Sequence, residues 1–282
     1  MAEPLVRRSI PLGERLGCIT RDAAPPRHTS DMGRSRLSGN CEWRNSYGMT
    51  IMIDRSQPVP APPDELLALL GQKIPPQRAF PFNQDHWRRW VGHLDGVDSA
   101  LKILPAAVDR RTVARTVESI VDDNPAGAFV ISMVWGHGRT GYGPSRTAAI
   151  LHGNRAGGRQ PLDPTAVDRL RSSAKVARAQ GAVEGFRYLN NRPGKLGGLG
   201  PAFFTKWLFF VTARGDVESD SAAPILDRLV IKWMATNGIP LRSAQTSDYA
   251  RYMEILRSWG SPHSLSASAV EERIFRTIRN DG

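Results

Sequence analysis

From residue 63 onward, apolar residues recur at positions i, i+3 and i+4 in one segment after another, and this spacing restricts the fold more than any other feature. The alternation of apolar and polar residues that is typical of strands is not convincing anywhere after residue 60. Proline, aspartate or serine stands at the start of many of these segments, as is common at helix starts. The spacing predicts an all-α fold with helices at residues 64–70, 85–94, 97–104, 110–122, 125–134, 145–152, 164–180, 183–190, 201–213, 227–236, 247–259 and 268–279.

The first 63 residues have a different character. They are rich in arginine, serine, glycine and proline, show little periodicity and end in PVPAPP. This composition predicts a disordered or weakly ordered basic arm at residues 1–63, followed by a helical domain at residues 64–282. Two interpretations stay open: the arm trails along a polyanion, or the natural chain starts at Met49 or Met52 and residues 1–48 do not belong to it.

The charge of the chain favours a polyanionic partner, most simply nucleic acid. The formal net charge is +11 and the sequence pI is about 10.3. Only six of the 38 basic residues are lysines, so arginine supplies most of the positive charge. Arginine makes forked contacts to phosphate that lysine cannot make, although a biased genome would also produce this preference.

Several kinds of segment and site are missing from the sequence. No apolar run reaches about 18 residues, and the N-terminus lacks the apolar core of a secretory signal, so we expect a cytoplasmic protein without a membrane partner. Cys18 and Cys41 do not form a CxxC motif, and we expect both to be reduced. The histidines do not form an HExxH motif, so we expect no metal site, and no cofactor is implied.

A glycine-rich turn, KLGGLGPAFFTKW, spans residues 195–207. Gly197, Gly198 and Gly200 can adopt positive φ and let backbone amides approach another surface. Pro201 suits the first position of a helix, whose free amides would point back over the turn. Such a helix start holds a phosphate well, which makes Lys195 and the three glycines candidate phosphate-binding residues. The alternative is a purely structural connection between two helices.

Two charged residues further on are candidates for catalysis. Lys206 lies among phenylalanine, tryptophan and leucine residues, where desolvation would lower its pKa and make the neutral amine a nucleophile. Asp227 follows a proline-containing segment, AAPILD, and precedes the apolar pattern of the next helix. The alternatives are that Lys206 extends its amine from the edge of a packed helix into water, and that Asp227 serves only as an N-cap.

A second glycine-rich stretch, WGHGRTGYGPSR, lies at residues 135–146. Four glycines, two aromatic residues, a histidine and two arginines predict a flexible polar loop with the composition of a binding loop. It lacks the ending of a P-loop and the preceding strand of a dinucleotide-binding fingerprint. Its aromatic residues could also serve only to anchor the loop to the core.

The glycine-rich turn and the aspartate together resemble the helix-hairpin-helix motif of the DNA glycosylase superfamily, which includes endonuclease III and the 8-oxoguanine DNA glycosylases. The turn matches that hairpin through Leu196, Gly197, Gly198, Leu199 and Gly200, and Asp227 stands at the family's spacing for its catalytic aspartate. The usual lysine position holds Ala202, but Lys206 lies four residues later on the same helical face. The four-cysteine iron–sulfur signature is missing, so the resemblance points to the cluster-free, 8-oxoguanine-glycosylase-like branch and covers about residues 85–260.

The resemblance implies a fold, a site and an activity. The fold would be two helical lobes flanking a cleft, with the helix-hairpin-helix at about residues 183–213 near its mouth. Asp227 and Lys206 would be catalytic, and the loop residues Trp135, His137, Arg139 and Tyr142 would surround the base. The protein would act as a monomer on double-stranded DNA and cleave the N-glycosidic bond of a damaged or modified base. Attack by water would leave an abasic site, whereas attack by Lys206 would form a Schiff base and allow strand nicking.

The substrate is open at this stage. The resemblance suggests 8-oxoguanine, but a divergent member could instead remove the hypermodified cytosines of phage DNA, such as glucosylated hydroxymethylcytosine, and act in anti-phage defence. A third possibility is a non-catalytic helix-hairpin-helix protein that only binds DNA. Asp227 distinguishes the classes, because a binding module needs the hairpin glycines but no carboxylate in the cleft.

Overall fold

A computed structural model describes residues 43–44, 50–51, 58–153 and 160–279. This part of the chain is mostly helical, which confirms the predicted all-α fold. Its helices are α1 (Asp64–Leu70), α2 (Gln84–Val91), α3 (Val97–Ile103), α4 (Arg110–Ile120), α5 (Pro125–His137), α6 (Gly143–Leu151), α7 (Pro164–Gln180), α8 (Ala182–Asn190), α9 (Pro201–Ala213), α10 (Arg228–Thr236), α11 (Thr246–Gly260) and α12 (Ala267–Arg279), with a 3₁₀ turn at Ser261–His263.

Two pairs of very short antiparallel strands accompany the helices. β1 (Trp43–Arg44) pairs with β2 (Thr50–Ile51), and β3 (Phe80–Pro81) pairs with β4 (Ala107–Val108). Strands of two residues are too short to show an alternating pattern, which is why the sequence did not predict β3 and β4. The predicted arm at residues 1–63 lies largely outside the described residues, and its order stays a prediction.

The predicted loop at residues 135–146 is wrong in its extent. The helix α5 continues through Trp135 to His137, and α6 already begins at Gly143, so the connection is only residues 138–142. Position 136 lies inside α5 and is a glycine because a Cβ atom there would come within 2.9 Å of the Lys206 Cδ atom on α9. This glycine allows close packing of two helices and does not mark a loop.

The described helices pack in two groups within one compact unit. The first group contains α2 to α7, in which α5 packs on α3, α4, α6 and α7. The second contains α1, α8, α10, α11 and α12, in which α12 packs on α1, α10 and α11. Two sets of contacts join the groups: α7 packs extensively on α8, and α9 contacts α4, α5 and α7 of the first group and α8 of the second.

The helix α9 is apolar around its whole circumference, as expected of a helix buried on all sides. Trp207 packs edge-on against Phe129 of α5, with ring centroids 5.8 Å apart, and donates its indole N–H to the Ser173 Oγ atom of α7 at 2.8 Å. Lys206 is the single charged residue of the helix. Burial of each large side chain contributes about 1.5–3 kcal/mol, so α9 is central to stability.

Residues 222–227, which we call the strap, form an extended segment that follows the turn after α9 and leads into α10. Thr212 and Thr205 of α9 accept hydrogen bonds from Ala223 N (2.8 Å) and Leu226 N (3.1 Å) through their hydroxyl oxygens. On the other side, two buried tyrosines of α11 donate hydrogen bonds to the strap carbonyls: Tyr249 to Pro224 and Tyr252 to Ile225, both at 3.0 Å. The strap is therefore fixed on both sides, and it ends at Asp227.

We predict that Thr212→Val lowers the free energy of unfolding by about 1–3 kcal/mol, because it leaves the buried Ala223 amide without its acceptor while keeping the side-chain volume. Denaturant unfolding followed by circular dichroism measures this change. The control is Thr236→Val, since the Thr236 hydroxyl is exposed and bonds only the Lys232 carbonyl of its own helix, with an expected change under about 0.5 kcal/mol. Equal effects of the two substitutions would contradict the role of the strap.

Candidate active site

Lys206 and Asp227 lie together where the two helix groups meet. The Lys206 Nζ atom is 3.5 Å from the Asp227 Oδ2 atom, and the two side chains are only 11% and 17% exposed. Asp227 is the N-cap of α10, where its Oδ1 atom accepts hydrogen bonds from Leu229 N at 3.0 Å and Val230 N at 3.1 Å. One carboxylate oxygen thus caps the helix while the other faces the lysine, so Asp227 is an N-cap whose second oxygen stays available for the predicted catalytic role.

The position of Lys206 explains how an alanine can occupy the usual lysine position. The Lys206 Nζ atom donates a hydrogen bond to the Ala202 carbonyl at 3.1 Å, one helical turn back along α9. Side chains on a helix lean toward its N-terminus, so the amine of residue 206 reaches the level of residue 202. The structure brings Lys206 and Asp227 together across 21 residues of sequence.

The surroundings of Lys206 favour its neutral form. Burial lowers the pKa of Lys206, and the charges of Asp227 and Glu271 offset only part of this shift. The Phe203 ring, whose centre is 5.2 Å from the Nζ atom, also opposes the shift, because an aromatic face attracts a cation. A lysine with a lowered pKa provides the unprotonated amine that a nucleophile requires.

A buried ion pair lies behind the site. The Arg110 Nη2 atom is 2.9 Å from the Glu271 Oε2 atom, and both side chains are almost fully buried. Burial, with a smaller contribution from the charge of Asp227, raises the pKa of Glu271 to about 7, although Arg110 opposes the shift. This pair was not predicted from the sequence, where the available signal is that Glu271 stands on the apolar face of α12, three residues before Ile274.

Two of the four predicted base-contacting residues, His137 and Tyr142, form a cluster with Phe203, and Arg139 is exposed. His137 stacks on Phe203 with ring centroids 4.2 Å apart, and Tyr142 packs nearly perpendicular to His137 and is 57% exposed. Trp135 instead donates its indole N–H to the Gln77 Oε1 atom at 2.9 Å. It packs edge-on against Phe210, which matches the anchoring interpretation.

Two further residues, Phe203 and Arg146, belong to this cluster and were not predicted. The Phe203 ring has Lys206 Nζ at 5.2 Å, Arg146 Cζ at 5.2 Å and the His137 ring stacked on it. Phe203 precedes Lys206 by three residues and therefore shares its helical face, a spacing that could have identified it. Arg146 lies in the first turn of α6 and is exposed.

The hairpin between α8 and α9 has the open backbone that phosphate binding needs. Gly198 has φ +80°, whereas Leu196 and Leu199 are buried and anchor the turn. A Cβ atom at Gly197 or Gly200 would meet no atom of the described residues within 4 Å. The Lys195 side chain is exposed, and its carbonyl accepts a hydrogen bond from Arg169 at 3.0 Å.

Within the described ranges, three or more histidine, cysteine, aspartate or glutamate side chains nowhere group as metal ligands. Cys18 and Cys41 lie outside these ranges. The same ranges contain no helix with the length and apolar character needed to cross a membrane.

Comparison with known proteins identifies the family. A family model described as "OGG: Putative 8-oxoguanine DNA glycosylase OGG-like protein" matches residues 73–275, a stretch that includes Lys206 and Asp227. Searches of curated proteins and of solved structures found no match. The family match confirms the resemblance inferred from the hairpin and implies that the chain binds DNA. The chain belongs to the 8-oxoguanine DNA glycosylase OGG-like family.

Proposed function

We propose that this protein is a DNA glycosylase that removes a damaged or modified base, with 8-oxoguanine as the first candidate, from double-stranded DNA. The observation that carries the proposal is the pairing of Lys206 with Asp227 at 3.5 Å between the two helix groups. A module that only binds DNA has no need for a buried amine and a carboxylate at one point. We expect the protein to act as a monomer in the cytoplasm.

Asp227 acts on the charge that develops in the reaction. Cleavage of an N-glycosidic bond builds positive charge on the sugar, and a fixed carboxylate stabilises that charge. The hydrogen bonds from Leu229 N and Val230 N hold one carboxylate oxygen, so the other is oriented before the substrate arrives. The same carboxylate can accept a proton from the attacking group.

Lys206 is the proposed nucleophile. Its neutral amine forms a bond to the sugar C1′ atom while the base leaves with the electron pair of the glycosidic bond and takes up a proton. The amine then loses a proton and the sugar ring opens to a Schiff base, from which elimination of the 3′ phosphate nicks the strand. If water attacks instead, the product is an abasic site and the strand stays intact.

The hairpin and the loop supply the DNA contacts in this proposal. Lys195, Gly197, Gly198 and Gly200 contact a phosphate and position the duplex without reading its sequence. Arg139 and Tyr142, both exposed, contact the DNA around the lesion. Trp135 is not included among these contacts, because its N–H is engaged by Gln77 and its ring packs on Phe210.

The first experiment incubates the full chain with separate duplexes that contain 8-oxoguanine, uracil, an alkylated purine or glucosylated hydroxymethylcytosine. Mass spectrometry detects the released bases. Release of 8-oxoguanine supports genome repair, and release of the glucosylated cytosine assigns the protein to anti-phage defence. Tight binding to all duplexes without release of any base would favour the non-catalytic DNA-binding alternative.

We predict that Asp227→Asn lowers kcat for base release roughly 100- to 1,000-fold, as is typical when one electrostatic group at a reacting centre is removed. Asparagine is a good N-cap, so the variant should stay folded. Single-turnover kinetics on the released base measure the loss. Asp163→Asn is the matched control, because Asp163 caps α7 in the same way through Thr165 N. Unchanged base release by Asp227→Asn would refute the catalytic role of Asp227.

We predict that Lys206→Met abolishes the covalent DNA adduct that borohydride traps, because the variant keeps the buried apolar stem but has no amine. Gel electrophoresis of the trapped adduct measures this loss. In the wild type, trapping should become faster as pH rises toward the lowered pKa of Lys206, since the neutral amine is the reacting form. Lys175→Met is the control and should keep the adduct, because Lys175 is exposed on α7. An adduct that persists in Lys206→Met would assign the nucleophile to another group.

We predict that Gly200→Ala weakens DNA binding about tenfold, equivalent to about 1.4 kcal/mol, while the melting temperature stays unchanged. Gly200 has φ −90°, which alanine adopts without strain, but the added methyl group occupies the open space over the hairpin. Fluorescence anisotropy with a labelled duplex measures the affinity. Gly71→Ala serves as control, because Gly71 has φ −81° and also has room for a Cβ atom. Equal affinities of the two variants would exclude the hairpin as a phosphate contact.

A further inference from the structure

The side chain of His137 is an exception to the rule that buried polar groups have hydrogen-bond partners. The residue is only 6% exposed, and neither Nδ1 nor Nε2 has a partner among the described residues. In protein interiors the large majority of such atoms are hydrogen-bonded, so an unpartnered imidazole next to a reactive lysine calls for an explanation.

The histidine ring is held in one orientation by its neighbours. It stacks on Phe203 at an interplanar angle of 28°, and Tyr142 stands almost perpendicular to it at 86°, with centroids 5.6 Å apart. Trp87 of α2 lies on another side at 6.4 Å. The backbone of Gly143 packs closely against His137, since a Cβ atom at Gly143 would be only 2.7 Å from the His137 Cβ atom. Packing alone positions the ring, and its two nitrogens take no part in holding it.

Burial and two neighbouring basic side chains determine the charge of the imidazole. Burial lowers the pKa of His137 to about 4, and the charges of Arg146 and Lys206 contribute to the shift. The ring is therefore neutral near pH 7, with one nitrogen as a donor and the other as an acceptor. Any group that enters beside Phe203 also meets the positive charge of Arg146, 5.2 Å from the centre of that ring.

We propose that His137 hydrogen-bonds the extruded base through one of its unpartnered ring nitrogens, in a site that is selective for uncharged bases. This inference rests on the proposed glycosylase function and names the substrate class of the same site. The base offers a donor or an acceptor to that nitrogen, according to the tautomer of the imidazole. A cationic base, such as an N7-alkylated guanine, is repelled by Arg146.

Access to the ring nitrogens requires only a local movement. Tyr142 packs nearly perpendicular to the imidazole and is itself 57% exposed. Rotation of the Tyr142 side chain away from His137 uncovers that side of the ring without disrupting α5 or α6. An entering base can then take the place of the tyrosine ring, so that the apolar cover is exchanged for hydrogen bonds.

The proposal predicts opposite effects of one substitution on stability and on activity. His137→Phe keeps the aromatic stack on Phe203 but removes two buried polar atoms that lack partners. We expect the melting temperature to rise by a few degrees and kcat/KM for base release to fall at least about tenfold. Differential scanning calorimetry and single-turnover kinetics on the same preparations measure the two effects.

His152→Phe is the matched control for this experiment. His152 is also buried and also has one unpartnered nitrogen, Nε2, but its ring stacks on His93, and its Nδ1 atom bonds the Pro161 carbonyl. We expect it to lose stability and to keep kcat/KM per folded molecule. If His137→Phe also keeps kcat/KM while the wild type releases a base, His137 is a packing residue and the inference is wrong even though the glycosylase function stands.

A second comparison tests the substrate class. Duplexes with 7-methylguanine, which is cationic, and with the best neutral substrate are compared, each relative to its own spontaneous base loss. We expect the rate enhancement for the neutral base to be at least about tenfold larger. An equal or larger enhancement for 7-methylguanine would overturn the assignment to uncharged bases. Release of no base from any duplex would instead refute the proposed function itself.

Discussion

The structure depends on the burial of one lysine in a helix that is apolar on every side. An amine in such a position is costly unless a partner meets it, and in this protein the partners are the Ala202 carbonyl and Asp227. The strap at residues 222–227 exists in its extended form because Thr205, Thr212 and two tyrosines bind its backbone on both sides. Those hydrogen bonds fix the backbone before Asp227, so buried hydroxyl groups of α9 and α11 determine where Asp227 lies relative to Lys206.

A second, buried ion pair lies near Lys206 and Asp227 and changes the pKa of Lys206 in both directions. Arg110 is paired with Glu271, and its guanidinium also lies over the Phe209 ring at 4.6 Å. Glu271 raises the pKa of Lys206 while Arg110 lowers it, so the two members of the buried pair act on the lysine in opposite directions. The net decrease in the pKa of Lys206 therefore comes from its burial, with Asp227 as the main opposing influence.

The helices and the proximity of Lys206 to Asp227 were predictable, whereas the packing around them was not. Residues 64–70, 164–180 and 201–213 were predicted with their observed bounds, because periodicity and proline or aspartate at their starts agree. The loop at 135–146 was mispredicted because Gly136 and Gly143 look like loop residues, although each is required by contact with Lys206 or His137. Glycine inside a helix costs about 0.5–1 kcal/mol, which close packing must offset. No local pattern connects Arg110 to Glu271, which are 161 residues apart.

The start of α9 bears on the protonation of Lys206. Lys206 reaches back to the carbonyl of Ala202, so its amine lies near the first turn of α9, where the helix dipole disfavours a positive charge. This dipole acts in the same direction as the burial that lowers the pKa of Lys206, whereas the charge of Asp227 opposes the shift. The displacement of the lysine by one turn from the usual family position is therefore compatible with catalysis, because the flexible side chain returns the amine to the helix start.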